Sequence, residues 1–274
     1  MAKTIKWSLG NIKLPSRIIH MSLPSGYTCP MALKCLCKAN AHTGKITDGP
    51  EQEYRCYAAM QEARHPGLRK NRWANYTSLK GLSQKEMYNL LNVSLHNLHK
   101  DYIINHGNRP IIRAHIGGDF FNDTYFLAWL DLAKEYKPTQ FYSYTKRTDL
   151  WVKNINKIPT NFELNASRGG KRDDLIETHN LKCAEVVYSY EEAKNKKLEI
   201  DHDDSHAYRA GPSFAQLIHG CQKAGSKASK ALTALKKETG WTGYNANSKT
   251  VQETNREVLL FSKRKRKSTH SIQK

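Results

Sequence analysis

"RPIIRAHIGGDF" (residues 109–120), followed by "DTYFLAWLDLAKEY" (123–136) and "QFYSYTK" (140–146), decides the fold. The first segment is a β-branched apolar run that ends in two glycines and an aspartate, so it reads as a strand entering a turn. The second places Phe126, Trp129, Leu130 and Leu132 near one helical face. The third is strand-like again. Strand, helix and strand in direct succession predict a parallel βαβ unit.

The same alternation extends in both directions. "RIIHMSL" (17–23) is a short apolar run closed by Pro24, Ser25 and Gly26, and "NFELNAS" (161–167), "AEVVYS" (184–189) and "LEID" (198–201) read as further strands. Residues 51–64 and 84–100 carry apolar positions at helical spacing. The expected fold class is therefore α/β, a partial parallel (β/α) barrel of about six strands with a cysteine-rich metal loop after the first. One domain is expected over residues 1–244, containing the cysteine-rich loop (28–57) and a basic C-terminal helix (213–238). Residues 245–274 form a basic tail with an unbroken cationic run from Lys263 to Lys267.

Lysine and arginine number 44 against 25 acidic residues, a formal charge of +19. An excess of that size implies a polyanionic partner, and nucleic acid is the first expectation, with DNA and RNA not distinguished. No stretch approaches the ~20 apolar residues of a membrane span, so no membrane partner is expected. The first residues lack the apolar core of a signal peptide, which leads to a cytoplasmic expectation and reduced thiols.

Three of the six cysteines fall within "TCPMALKCLCK" (28–38), and Cys56 follows after an intervening segment. The spacing of Cys29, Cys35, Cys37 and Cys56 is not that of a two-knuckle zinc ribbon. Four thiolates still suit a zinc ion or an iron–sulfur cluster, and if only three ligate a [4Fe–4S] cluster one iron stays open to a small molecule. Beyond the later strand, Gly117, Gly118 and Asp119 form a polar, glycine-rich strand end of the kind where α/β folds collect reactive residues. Asp201, His202, Asp203, Asp204 and His206 form a carboxylate and imidazole cluster fit for acid/base work or a divalent cation, or simply a solvated helix-capping loop. Lys146, Arg147, Ser167 and Arg168 follow two strands and would share one mouth in a barrel. His219 reads as a core histidine. In "RKNRWANY" (69–76), basic and aromatic residues alternate in a manner that suits either base stacking or a helix's core stripe.

"LPSGYTCPMALKC", "YRCYAAMQEARHPGLRKNRWANY", "HIGGDFFND", "FYSYTK", "IDHDDSHA" and "LIHGCQKAGSKAS" together resemble the phage protein family catalogued as gene product 88-like, over most of residues 17–244. That family in turn looks distantly like the radical S-adenosylmethionine superfamily. The resemblance implies a [4Fe–4S] cluster on Cys29, Cys35 and Cys56, with Cys37 less firmly included. It also implies S-adenosylmethionine beside Gly117, Gly118 and Asp119. Superfamily members with C-x3-C-x2-C spacing bring all ligands in one short loop, whereas Cys56 here stands apart. Two functional classes follow. One is a radical SAM-like metalloenzyme acting on nucleic acid or nucleotides, and the other is a non-catalytic basic nucleic-acid-binding protein with a structural zinc or iron–sulfur site.

Overall fold

The computed structural model describes residues 4–11, 13–241, 243 and 244. Along the chain run β1 (Ser8–Leu9), β2 (Ile18–His20), the hairpin β3 (Cys37–Ala39) and β4 (Ile46–Asp48), then α1 (Tyr57–Arg64), α2 (Pro66–Leu79) and α3 (Gln84–His106). Next come β5 (Ile111–Arg113), α4 (Asp123–Glu135), β6 (Gln140–Thr145), α5 (Thr148–Lys153), β7 (Phe162–Ser167) and α6 (Asp174–Thr178). β8 (Cys183–Val187), α7 (Tyr190–Asn195), α8 (Ser205–Tyr208), β9 (Phe214–Leu217) and α9 (Lys227–Thr239) complete the series.

Among the described residues, seven strands form one sheet in the order β1-β2-β5-β6-β7-β8-β9, while β3 and β4 pair separately. β1 is antiparallel to β2, and every later pair is parallel. Parallel neighbours in chain order require a crossover at each step, and right-handed crossovers place those connections on one face of the sheet. The chain is thus a mixed α/β protein with a mostly parallel, open sheet whose edges are β1 and β9.

Local chemistry explains where the elements stop and start. Ser83 and Glu86 close a reciprocal capping box at the start of α3, and Gly107 ends that helix at φ 67°. Asn122 caps α4 by accepting from the Tyr125 amide at 2.8 Å. The face of α4 that carries Phe126, Trp129, Leu130 and Ala133 is fully sequestered against β5, β6 and α3 in the main core.

Three sequence expectations need correction. "LEID" is not a strand, because Ile200 makes only an isolated bridge to Ala215. The sixth parallel strand is instead Phe214–Leu217, inside the stretch expected as the basic helix 213–238, which begins only at Lys227 behind its Ser226 cap. A short apolar run fits either period, and here the open hydrogen-bonding edge of β8 decides for a strand, with Ala184 opposite Phe214. The segment 28–57 is also not a simple loop, since it contains the β3–β4 hairpin. The tail expected over 245–274, with its Lys263–Lys267 run, lies outside the described residues.

Candidate functional site

A cavity of about 310 Å³ opens where the parallel strands end, the position at which such sheets place ligands. Cys29, Cys35 and Cys56 line it, together with Gly117, Gly118, Asp119, Lys146 and Ser167. Residues expected separately to hold a cluster and a small cofactor therefore share one wall. Cys37 does not line the cavity; it is 1% exposed on β3. The acidic segment Asp201, His202, Asp203, Asp204 and His206 does not line it either.

The cysteine segment is held from both sides. The Leu23 amide donates to Gly117 O at 2.8 Å, and the Ile116 amide donates to Met21 O at 3.0 Å. Across the cavity, the amides of Leu33 and Lys34 both donate to Gly169 O, and that of Lys171 donates to Met31 O at 2.9 Å. Beneath lies a buried pair. Glu62 of α1, fully buried, accepts from the Ser25 amide at 2.9 Å and from Arg72 of α2 at 2.7 Å. Arg72 also donates to Ala58 O at 2.8 Å, two residues beyond Cys56. One ion pair thus ties the approach to Cys29 to the helix that starts after Cys56. Two of the basic residues in 69–76 are thus committed within the fold: Arg72 to Glu62, and Arg69 to the carbonyls of Ala41, Glu62 and His42.

Burial pushes the Cys29 thiol well above its ordinary value, with Asp119, Cys56 and Cys35 adding repulsion. Burial also pushes Cys56 up to about 11, with further repulsion from Cys35, while the amides of Ala59 and Ala58 act in the opposite direction. Both are neutral thiols at pH 7 until a cation compensates their thiolates. Among the described residues, no group of three or more histidine, cysteine, aspartate or glutamate side chains is already gathered to hold a metal ion.

The glycine turn serves the protein's own packing. Gly118 has φ 87°, and a Cβ there would stand 2.6 Å from the Leu23 Cβ and 2.7 Å from Thr28 Oγ1. A Cβ on Gly117 would meet Arg72 and Ser25. Asp119 is 4% exposed and accepts from Thr145 Oγ1 at 2.6 Å and from the amides of Phe120 and Lys146 at 2.7 and 2.8 Å. Burial outweighs these donors and raises its carboxyl above the ordinary value. Lys146 Nζ donates to Ser167 O, Ser167 Oγ and Arg168 O at 2.6, 3.0 and 2.9 Å, which uses all three of its protons as a brace between β6 and β7. Arg147 and Arg168 turn to acidic neighbours instead, Asp149 and Glu177 among them.

The acidic segment works from behind the cavity. Asp204, fully buried at φ 65°, accepts from Lys13 Nζ at 2.7 Å, from the Tyr142 hydroxyl at 2.8 Å and from Arg113. Lys13 and Arg113 both line the cavity. Asp201, also fully buried, accepts from the Asp204 amide at 3.0 Å and from His206 Nδ1 at 3.2 Å. The sequence identified these acids but not the cations they hold. Asp203 is buried and accepts from the Ser205 amide, and His202 packs 6.2 Å from the Trp241 ring.

His206 gives this network a pH dependence. The hydrogen bond to Asp201, aided by Glu199 at 2.9 Å and opposed by partial burial, raises the imidazole to about 9. A raised folded value stabilises fully below the unfolded value near 6.5 and is lost as pH rises through about 9. Urea unfolding should therefore show wild type more stable than His206→Gln at pH 6, with the gap closing by pH 10. A gap that stays constant across that range would refute the ion pair.

Sequence reasoning missed Tyr57, Tyr144 and Gln216 and placed His219 in the core, yet all four line the cavity. The Tyr57 hydroxyl donates to Ile116 O at 2.6 Å, joining the Cys56 helix to the end of β5. Fold and site together define an α/β protein with a thiol-bearing cavity at the carboxyl ends of sequentially ordered parallel strands. The chain belongs to the gene product 88 family, whose model matches residues 2–237. No curated protein and no solved structure matches it.

Proposed function

We propose that this chain is an iron–sulfur protein in which Cys29, Cys35 and Cys56 hold a [4Fe–4S] cluster at the mouth of a partial (β/α) barrel. The convergence of Cys56 with Cys29 and Cys35 on one cavity carries the reading. Soft thiolates suit iron–sulfur clusters and zinc alike. A single tetrahedral zinc needs its sulfurs about 3.8 Å apart, from Zn–S bonds near 2.3 Å, whereas cluster thiolates bind different irons and stand farther apart. Thiols that share a cavity without meeting at a point suit the second arrangement.

With three protein ligands, a [4Fe–4S] cluster offers an open iron that can bind a small molecule and pass it an electron. S-adenosylmethionine is the proposed small molecule. Asp119, fixed by three donors, would accept from its ammonium group, and the Gly117–Gly118 turn supplies the adjoining backbone. Nucleic acid or a nucleotide is the proposed substrate, recruited by the positive charge. Lys227, Lys230 and Lys237 share the solvent side of α9, opposite buried Ala228 and Leu235. That lysine face also supports the second reading, a nucleic-acid-binding protein with a structural metal and no chemistry.

Metal and acid-labile sulfide analysis of protein purified without oxygen tests the proposal. About four iron and four sulfide per chain are expected, lost in Cys56→Ala but retained in Cys37→Ala. One zinc and no sulfide would overturn it in favour of a structural clamp.

A further inference from the structure

Part of the cavity wall has no task in holding a cluster. Lys13, Arg113, His115, Tyr144, Gln216 and His219 form it. The two cations are paired with Asp204, and Asp201 stands 3.7 Å from Lys13, so two positive charges face two fully buried negative ones. The carboxylates lie behind the wall and neutralise its cations, so little net charge is left to draw a phosphate and the wall favours a neutral group.

The polar atoms define what that group must offer. His219 Nδ1 lies 2.8 Å from Leu217 O, and a carbonyl can only accept, so the proton sits on Nδ1 and Nε2 is left as an acceptor. Burial lowers this imidazole to about 4, so it is neutral at pH 7. Gln216 donates through Nε2 to the Tyr144 hydroxyl at 3.2 Å, which orients the amide and leaves its oxygen as an acceptor. His115 is 2% exposed; its Nε2 is 3.1 Å from the Tyr125 hydroxyl, and its Nδ1 is buried with no partner among the described residues. A buried polar atom without a partner is costly, and a ligand can relieve that cost. The Tyr144 ring carries the Arg113 guanidinium 4.8 Å from its centroid, and the His219–Tyr57 pair, with ring centroids 5.1 Å apart, adds aromatic surface that suits a flat ligand.

We propose that this wall recognises a neutral nucleobase carrying an exocyclic amino group, which donates to His219 Nε2 and Gln216 Oε1. The inference deepens the nucleotide reading above by naming the substrate class, and it requires no cluster. Sugar and phosphates stay outside, toward the basic surface. A base that enters from a polynucleotide must leave its stack to do so, as enzymes acting on bases require.

Calorimetric titration of metal-free full chain with adenosine, cytidine and uridine tests it. Adenosine or cytidine should bind with one-to-one stoichiometry and at least tenfold more tightly than uridine. Gln216→Leu and His219→Phe should each weaken that binding about tenfold or more and narrow the preference, with thermal unfolding checked in both variants. Absence of nucleoside binding, equal affinity for uridine, or unchanged binding by both folded variants would overturn the inference. Iron and sulfide content is read on separate protein, so a chain that binds nucleoside but holds no cluster would sink the iron–sulfur reading and leave this one standing.

Discussion

Replacing Arg72 with methionine should lower the free energy of unfolding by about 3–5 kcal/mol, because it strands a carboxylate in a fully buried position. Glu62 has no access to solvent, and Arg72 reaches it at 2.7 Å. The loss reflects an uncompensated charge rather than the net worth of the pair, so the second substitution is the informative one. Adding Glu62→Gln should restore most of the stability: a neutral amide still accepts from the Ser25 amide and no longer needs a cation. Urea denaturation of the wild type, both single variants and the double variant gives the coupling. If the two single losses simply add, Glu62 and Arg72 do not act as a unit. The pair also meets the backbone on both sides of the cysteine cavity. Arg72→Met protein that remains folded should therefore bind metal poorly, whereas the double variant should regain part of it.

The sheet could be read from sequence because its strands announce their ends. "RPIIRAHIGGDF" and "NFELNASRGG" are apolar runs cut off by glycine, and each is followed by a helix or turn that leads to a parallel neighbour. β9 escaped because "FAQL" has too few residues to show a period, and only the free edge of β8 makes it a strand. Residue type grouped Cys56 with Cys29, Cys35 and Cys37 as possible metal ligands, and the gene product 88-like resemblance favoured Cys29, Cys35 and Cys56 among them. The cationic partners could not be read in this way. Lys13 lies in a loop and meets Asp204 across 191 positions of sequence, and no local pattern encodes such a contact. The acidic segment reads from residue type as an acid/base or cation-binding cluster or a solvated capping loop, whereas Asp201 and Asp204 are fully buried and hold the mouth's cations from behind. Residue type identified the charge, and only the tertiary fold assigned the direction in which it acts.

Asp204→Asn should cost about as much as the loss of Arg72, roughly 3–5 kcal/mol near neutral pH, and it isolates charge from shape. Asparagine is nearly isosteric and among the residues that best tolerate the left-handed backbone found at this position, so little conformational cost accompanies the change. What disappears is the negative charge opposite Lys13 and Arg113, leaving Asp201 as the buried carboxylate beside Lys13. Burial alone would raise the Asp204 carboxyl, but Arg113 and Lys13 override it and hold the group well below the usual carboxylate range. A depressed folded value contributes stability that is complete above the unfolded value near 3.8 and is lost as pH falls toward the folded one. The difference between wild type and Asp204→Asn should therefore be constant from pH 5 to 8 and shrink below pH 4, as measured by denaturant unfolding at each pH. A difference that persisted unchanged at pH 2 would mean that the aspartate acts through its shape or hydrogen bonds. The same substitution makes the cavity wall more positive by one charge. If the wall takes a neutral base because its cations are already neutralised, adenosine monophosphate should gain affinity relative to adenosine in the folded variant, and a ratio unchanged from wild type would show that Asp204 does not enforce neutrality there.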